Sequence, residues 1–249
     1  MGLCTWLLHA AAACEMVACV VLVSLSLRGR RPRFSTATKR SFLAYLLIFG
    51  KPIRASEASH RRLSTDVSSF SDLSSAIDTG AEINVVADIT FTTDTGHIEI
   101  DGITGVTITS SDSMELSSTA GVVSGIAGGF FYIKGGSDVT ISGLSLNSGS
   151  ADQRGGCVYL EGSSTLTIKD VGIYNCKTEA GDAHAYGGGI YVEASTLFVY
   201  GSTFTSNTAY SNKKDVYGGA IFVTNSASKV YIVSTHFSEN LTEKGTVSY

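Results

Sequence analysis

The chain has 249 residues, with 27 glycines, two prolines and a formal net charge of −4 at pH 7. Residues 1–62 carry ten Lys and Arg against two acids, whereas residues 63–249 carry eight against twenty, a net charge of −12. Nucleic-acid binding needs clustered cations, so this acidic second part, in which Arg154 is the sole arginine, argues against a nucleic-acid partner. The sequence thus divides into a leader, residues 1–62, and a domain, residues 63–249.

The leader contains two hydrophobic segments, residues 3–27 and 41–50. The first is long enough to cross a bilayer as a helix, which takes about 20 residues. The second follows a basic pair and precedes small residues, the proportions of a signal peptide. Two alternatives stay open: a membrane anchor at residues 3–27, or a secretory signal that ends near Ala55 or Ala58. Both predict a secreted or cell-surface protein, and an uncleaved leader makes the membrane a partner.

The domain opens with a helical pattern. Apolar residues at 70, 73, 76 and 77 have helical spacing, and Gly80 ends the run. We therefore expect a short amphipathic helix over about residues 68–79 that caps the first coil of strands and covers its exposed edges. Looser apolar alternation follows between residues 81 and 108 and predicts the first strands.

A glycine pair followed by an alternating apolar strand occurs four times within residues 128–249. The pairs begin at Gly128, Gly155, Gly187 and Gly218, at steps of 27, 32 and 31 residues. Repeats of this length are typical of solenoids. Each copy holds three short strands with apolar residues at every second place. We predict an all-β fold, a right-handed parallel β-helix with three strands per coil and a spacing of about 4.8 Å between coils.

Three further features of the repeats have expected roles. The glycine pairs turn the chain back into the first strand, where positive φ and close backbone approach are needed; they include Gly155, Gly156, Gly187, Gly188, Gly218 and Gly219. Cys157 and Cys176 are either a disulfide or two buried free thiols. Asn240 lies in a sequon and is a glycan acceptor if the domain reaches the secretory lumen.

The sequence stops at the start of a fifth copy, which favours a fragment of a longer chain or a coil that stacks on a partner.

The repeats also carry a resemblance. The pairing of a Gly-Gly-small-Ile segment with a Phe-x-x-Asn segment resembles the repeats of chlamydial polymorphic outer-membrane proteins and of similar microbial surface proteins. The second element is complete at residues 204–207 and 237–240, whereas Cys176 takes the asparagine position one copy earlier. The resemblance implies a β-helix of the pectin-lyase type, a ladder of Asn207 on Asn240, and a cell-surface or secreted protein that functions in adhesion.

Many proteins of the pectin-lyase type are enzymes that act on acidic polysaccharides. The residue after each first strand is, in turn, Lys134, Glu161, Glu193 and Thr224. Stacked one coil apart, Glu161 and Glu193 would lie about 5 Å from each other, as the carboxyl groups of retaining glycosidases do. The alternative is a solvated acidic face offset by Lys134. We favour the alternative, because the Asp, Arg and Lys motifs of lyases and polygalacturonases are absent, and we expect no cofactor.

The loops before the glycine pairs contain carboxylates that project from one edge of the predicted solenoid, Asp152, Asp182 and Asp215. They are weak candidates for a cation site such as calcium. Their spacing is irregular and no Asp-rich nonapeptide repeat accompanies them, which favours ordinary polar loops.

The strongest outward pattern is aromatic. Strand alternation predicts a vertical row on the outer face of the first strands, formed by Tyr132, Tyr159, Tyr191 and Phe222. Exposed rings in a row can stack on sugars or fill the groove of a protein partner. Alternatively, the rings pair across coils or lie under long loops.

These patterns predict a function only in outline. We expect a non-catalytic secreted or surface β-helix that binds glycans or cell-surface proteins along this row. Two alternatives stay open. One is a polysaccharide-active lyase or glycoside hydrolase, and the other is a purely structural module of a longer surface protein.

Overall fold

The computed structural model describes residues 64–119 and 128–245. The chain divides into two compact units, Met1–His60 and Arg61–Tyr249, and the described residues all belong to the second. The predicted leader, with both of its hydrophobic segments, lies outside the described residues. Within the described ranges, no helix has the length and apolar character needed to cross a membrane.

The elements follow one another in coils. The first described range forms β1 (Thr65–Val67), α1 (Phe70–Ala76), β2 (Glu82–Val85), β3 (Ile89–Phe91), β4 (Ile98–Asp101), β5 (Thr104–Thr109) and β6 (Glu115–Ser118). The second range begins with β7 (Phe131–Lys134), β8 (Asp138–Ser142), β9 (Ser145–Asn147), β10 (Ser150–Ala151), β11 (Val158–Leu160), β12 (Thr165–Lys169), β13 (Gly172–Tyr174), β14 (Lys177–Ala180) and β15 (Ala185–Tyr186). It continues with β16 (Ile190–Glu193), β17 (Thr196–Tyr200), β18 (Thr203–Thr205), β19 (Thr208–Ser211), β20 (Val216–Tyr217), β21 (Ile221–Thr224), β22 (Lys229–Val233), β23 (His236–Ser238) and β24 (Leu241–Lys244).

Corresponding strands of successive coils pair in parallel and build three long sheets. The first-strand sheet has the order β4-β7-β11-β16-β21, and the second-strand sheet has the order β1-β2-β5-β8-β12-β17-β22. The third-strand sheet has the order β3-β6-β9-β13-β18-β23. The prediction of a parallel solenoid with three strands per coil is confirmed, with about five turns.

Helix α1 lies inside the range predicted for the capping helix. It begins after Ser69, whose side-chain oxygen accepts a hydrogen bond of 3.2 Å from the backbone N–H of Asp72. This bond satisfies one of the N–H groups that the start of a helix leaves without a partner. The helix buries Leu73 in the same hydrophobic core as the strands.

The structure adds two sets of strands to the three that we predicted. Strands β10, β14, β19 and β24 form a fourth parallel sheet, and β15 pairs with β20. Both sets lie between the third strand of a coil and the next glycine pair. Strands β10, β15 and β20 have two residues each, and the buried positions of β14 and β19 hold small or polar residues such as Thr178, Ala180 and Ser211, so no apolar alternation marks these strands in the sequence. Their pairing places Arg154, Tyr186 and Tyr217 in one register column beside the first-strand sheet.

The core consists of inward side chains that stack in columns along the solenoid. In-register pairing aligns Ile133, Leu160 and Val192 in the first-strand sheet. The second-strand and third-strand sheets contribute matching columns, which are Ile141, Ile168 and Val199, and Leu146, Ile173 and Phe204. All of these side chains are fully buried. Each coil therefore depends on its neighbours for a core that it could not close alone.

The two glycines of a pair are required for different reasons. Gly155 has a φ of +61°, a conformation that residues with a Cβ rarely adopt. Gly156 has an ordinary φ, but a Cβ at this position would lie 2.1 Å from the carbonyl oxygen of Gly188 in the next coil. The first glycine permits the turn, and the second permits the coils to approach each other.

A disulfide joins Cys157 and Cys176, with their Cα atoms 5.5 Å apart and both side chains fully buried. Cys157 immediately precedes β11, and Cys176 lies between β13 and β14. The bond therefore connects the start of a coil to the turn after the third strand of the same coil.

Removing this disulfide is expected to lower the free energy of unfolding by about 3 kcal/mol. The two cysteines are 19 residues apart, and a closed loop of this length restricts the unfolded chain by about that amount. Urea unfolding of the wild type and of the Cys157→Ala/Cys176→Ala variant, with and without a thiol reductant, measures the effect. The reductant should lower the midpoint of the wild type alone, and an equal response in the two proteins would contradict the prediction.

Candidate functional site

The outer face of the first-strand sheet carries the predicted aromatic row, defined as Tyr132, Tyr159, Tyr191 and Phe222. Register places these residues directly opposite one another in successive coils. The ring centroids of Tyr132 and Tyr159 lie 5.0 Å apart, those of Tyr159 and Tyr191 4.9 Å, and those of Tyr191 and Phe222 5.8 Å. Each ring therefore contacts the next across the coil boundary.

Two alternatives were open for this row, exposed rings or rings that pair across coils under loops, and the second one holds for the two central rings. Tyr159 is 3% exposed and Tyr191 is 4% exposed, whereas Tyr132 and Phe222 are half-buried. The guanidinium of Arg154 lies over both central rings, 6.0 Å from the Tyr159 centroid and 5.4 Å from the Tyr191 centroid. The Tyr186 ring packs against Tyr191 at 6.1 Å. Arg154 and Tyr186, which lie in the loops before the glycine pairs, therefore cover these rings. The alternation of strand residues predicts that a ring points outward, but it does not predict whether a loop covers that ring.

Glu161 and Glu193 lie beside the row and share its phenol groups. Tyr132 donates a hydrogen bond to Oε1 of Glu161, and Tyr159 donates to Oε2 of the same carboxylate at 2.5 Å. Glu193 accepts at Oε2 from Tyr191 at 3.1 Å, and Tyr159 lies 3.3 Å from the same oxygen. The two carboxylates are thus brought together around one phenol, as their predicted stacking in adjacent coils requires.

The phenols of this network hold their protons strongly. Burial raises the pKa of Tyr159, and the hydrogen bond to Glu161 adds to this because a phenolate could not donate it. Burial, followed by the neighbouring charge of Glu193, raises the pKa of Tyr191 to about 12. The pKa of Tyr132 is raised by burial and by its hydrogen bond to Glu161. At neutral pH the three tyrosines are therefore uncharged hydrogen-bond donors.

These raised pKa values predict a loss of stability in alkali. The folded state keeps its phenol protons at a pH where the unfolded chain has lost them, so this contribution is complete below the unfolded pKa of about 10. It is lost as the pH rises through the folded values, which for Tyr191 is about 12. We expect unfolding free energies to fall as the pH rises above about 10. The fall should be smaller in a Tyr191→Phe variant, and an equal slope in both proteins would contradict the assignment.

The N-terminal end of the row adjoins a group of charged residues. Nζ of Lys134 lies 3.0 Å from Glu99 and 3.8 Å from Asp101, and it sits 4.8 Å from the centroid of the Tyr132 ring. His97 packs edge-on against Tyr132 at 5.9 Å. Burial lowers the pKa of His97 and outweighs the opposing effect of Glu99. Lys134 therefore forms ion pairs with Glu99 and Asp101, and it also interacts electrostatically with Glu161, one of the two glutamates that the sequence suggested it would offset.

Sequence reasoning missed a second set of rings, which we name the loop rings: His184, Tyr186 and Tyr217. Tyr186 and Tyr217 stack at 5.5 Å with an angle of 8° between their planes, and both contact Phe222, at 5.0 and 5.8 Å. His184 packs beside them at 6.0 and 6.4 Å. Tyr217 is 42% exposed. A signal was present, since a tyrosine immediately precedes the glycine pair in both of the last two copies.

With this geometry in view, the comparisons with known proteins identify the fold. Residues 73–245 match the family model described as "Right handed beta helix region". The chain belongs to this family. No curated protein and no solved structure shows a significant match. The right-handed β-helix is a fold of surface and polysaccharide-associated modules, and the finer resemblance to polymorphic outer-membrane repeats stays a resemblance.

The loop carboxylates of this right-handed β-helix do not converge. Asp182 pairs with Lys213 at 2.9 Å, and Asp215 pairs with Lys244 at 3.3 Å. Within residues 64–119 and 128–245, no group of three or more His, Cys, Asp or Glu side chains could hold a metal ion. Asp152 therefore joins no such cluster, and the weak prediction of a cation site finds no support at this edge.

The amide of Asn240 takes part in a ladder. Its Nδ2 donates to the carbonyl of Phe204 at 2.9 Å, and its Oδ1 accepts from Nδ2 of Asn207 at 2.8 Å. The nitrogen to which a glycan would attach therefore forms a hydrogen bond that stabilises the turn after the third strand. Glycosylation of Asn240, which the sequon suggested, would replace one of the two hydrogens of Nδ2 and leave one for this hydrogen bond.

Proposed function

We propose that this β-helix is a non-catalytic carbohydrate-binding protein. The observation that carries the proposal is the outer face of the first-strand sheet, where stacked aromatic rings border a pair of carboxylates over successive coils. Rings supply apolar contact for the faces of sugars, and carboxylates accept hydrogen bonds from sugar hydroxyls. A regular ladder of such groups suits a polymer whose units repeat along its length.

The roles within the aromatic row differ from ring to ring. Tyr159 and Tyr191 are covered, and their hydroxyls bond to Glu161 and Glu193, so they position the carboxylates from beneath. Tyr132 and Phe222 are half-buried and Tyr217 is exposed, so these three rings are the contacts available to a ligand. The proposed binding surface therefore runs along the predicted row and extends over the loop rings.

The proposed location is the cell surface or the extracellular space. A buried disulfide such as Cys157–Cys176 forms and persists in oxidising compartments. The two hydrophobic segments of the leader support the same location, as an anchor or as a cleaved signal. Glycans of a cell wall or of another cell, or proteins that carry them, are the proposed partners.

Glycan-array binding followed by titration calorimetry tests the proposal. The Tyr217→Ala/Phe222→Ala variant should bind the best array ligand about tenfold more weakly, because each stacking ring contributes about 0.5–1.5 kcal/mol. The matched control is Tyr200→Ala/Tyr231→Ala, which removes exposed rings from the second-strand sheet. Equal affinity of both variants and the wild type, or a loss confined to the control, would refute the assignment of the site.

A polysaccharide-active enzyme is the second candidate, and one contact favours it. Glu161 and Glu193 approach the same phenol oxygen, so two carboxylates stand close enough to act on one glycosidic bond. A panel of neutral and acidic polysaccharides, assayed for new reducing ends and unsaturated products, tests it. Product formation that disappears in Glu161→Gln and in Glu193→Gln would replace the binding proposal with this one.

A further inference from the structure

We infer that Tyr186 and Tyr217 form a site of oxidative modification, at which hydrogen peroxide and a peroxidase join the two rings into a dityrosine. The cross-link ties two neighbouring coils of the solenoid together covalently. The inference goes beyond the proposed carbohydrate binding and does not depend on it. It follows from the register, the stacking and the exposure of the two rings.

The backbone holds the two tyrosines at a fixed separation. Strands β15 and β20 pair in parallel, and their register sets Tyr186 directly opposite Tyr217. The ring centroids lie 5.5 Å apart, with an angle of 8° between the ring planes. Both rings also contact Phe222, at 5.0 and 5.8 Å, which confines them to the same side of the fold. The two phenols are therefore neighbours in every molecule, whatever the protein concentration.

The coupling of two phenols balances with one hydrogen peroxide. Each phenol loses one electron and one proton, and the two phenoxyl radicals form a bond between the ring carbons next to their oxygens. Each coupled carbon then loses its hydrogen as a proton, while its oxygen regains a proton and becomes a hydroxyl again. The peroxide takes up the two electrons and two protons released in the first step and becomes two molecules of water.

Fixed proximity favours this coupling over a reaction between separate molecules. Groups held beside each other react at effective concentrations far above those of any protein in solution. Tyr217 is 42% exposed, so the oxidant has access to the pair. Exposed side chains change rotamer within picoseconds to nanoseconds, which lets the rings turn from a stacked to a bonding arrangement. A radical on Tyr217 therefore meets the ring of Tyr186 before it meets another chain.

A second stacked pair of tyrosines in the described domain is protected from the same reaction. The centroids of Tyr132 and Tyr159 lie 5.0 Å apart, with 17° between the ring planes. However, Tyr159 is 3% exposed and lies under the guanidinium of Arg154. The hydroxyls of both rings donate to Glu161, and these hydrogen bonds fix the orientation of the rings. Oxidation should therefore select the pair that combines stacking with exposure.

Treatment of the purified protein with hydrogen peroxide and a peroxidase, followed by isolation of the monomer, tests the inference. Trypsin cleaves after lysine and arginine, so the two tyrosines fall in separate peptides, residues 178–213 and 215–229. Mass spectrometry should find these peptides joined with the loss of two hydrogen atoms, and the monomer should gain dityrosine fluorescence. A cross-link restricts the unfolded chain as a disulfide does. The oxidised monomer should therefore unfold at a higher urea concentration than the untreated protein.

The Tyr186→Phe and Tyr217→Phe variants keep both rings but lose one phenol each, so neither should yield the joined peptides. Tyr231→Phe is the matched control and should keep the cross-link, because Tyr231 is 48% exposed but stacks on Phe198, which has no phenol. Absence of the joined peptides from the oxidised wild-type monomer would overturn the inference. Joined peptides that persist in either variant of the pair, or dityrosine confined to dimers, would overturn it as well.

Discussion

Replacing Gly156 by Ala is expected to destabilise the domain by about 3 kcal/mol or more, the upper range for overpacking in a close-packed interior. The added Cβ would lie 2.1 Å from the carbonyl oxygen of Gly188 and 2.6 Å from the backbone of Lys177. Both neighbours are backbone atoms of the hydrogen-bonded ladder, so neither can move without breaking coil-to-coil bonds. Chemical unfolding of the variant and the wild type measures the difference in the free energy of unfolding.

Gly181→Ala is the control for this change. Gly181 is exposed, and a Cβ there would meet no atom within 4 Å. We expect a change within about 0.5 kcal/mol, as for other surface substitutions. Comparable stability of the Gly156 and Gly181 variants would show that the coils have room to separate, and the role assigned to the second glycine of each pair would fail.

Asn207→Ala is expected to cost about 2–4 kcal/mol. The buried amide of Asn207 accepts a hydrogen bond from the backbone N–H of Cys176 at 3.0 Å. It also donates to the carbonyl of Ile173 at 2.9 Å and to Oδ1 of Asn240 at 2.8 Å. Truncation removes this partner from the N–H of Cys176 and the carbonyl of Ile173, which are both fully buried, and each buried polar group left unpaired costs about 1–3 kcal/mol. Oδ1 of Asn240 keeps the hydrogen bond from the backbone N–H of residue 207.

The matched control for this prediction is Asn212→Ala. Asn212 is exposed and accepts one hydrogen bond from the hydroxyl of Tyr210, which water can replace. Urea unfolding should show a change within about 0.5 kcal/mol for this variant. A loss at Asn207 no larger than the loss at Asn212 would mean that the ladder adds little to the stability of the turn.

The three strands of each coil were predictable because they repeat. Ile133, Leu160 and Val192 recur at the same place in successive copies, and a parallel stack is the arrangement that buries them all. The short helix at Phe70–Ala76 could be predicted from its apolar spacing, although it ends at Ala76 and not at Gly80. The fourth sheet could not, since its strands are either as short as Ser150–Ala151 or bury small and polar side chains such as Thr178 and Ser211.

The sequence predicted where the candidate site lies on the fold, but it did not predict which of its side chains are exposed. Alternation placed Tyr159 and Tyr191 correctly on the outer face, in register with each other. Their burial depends on Arg154 and Tyr186, which precede the glycine pairs and reach back over the strands that follow. The strand sequence gives no information on the position of a loop side chain. It could therefore not decide between exposed rings and rings covered by a loop.

The amino-acid sequence by itself determined the winding of this protein, because a hydrophobic period that repeats from coil to coil admits one way of burying every copy. It also determined where the chain turns back into each first strand, since a glycine pair recurs there and a Cβ at Gly155 would lie 2.1 Å from the carbonyl oxygen of Val158. Only the tertiary structure decided which outward groups face solvent and which carboxylates accept hydrogen bonds from the phenol groups. Those properties arise from contacts between loops and strands of neighbouring coils, such as Tyr186 on Tyr191 and Tyr159 between Glu161 and Glu193.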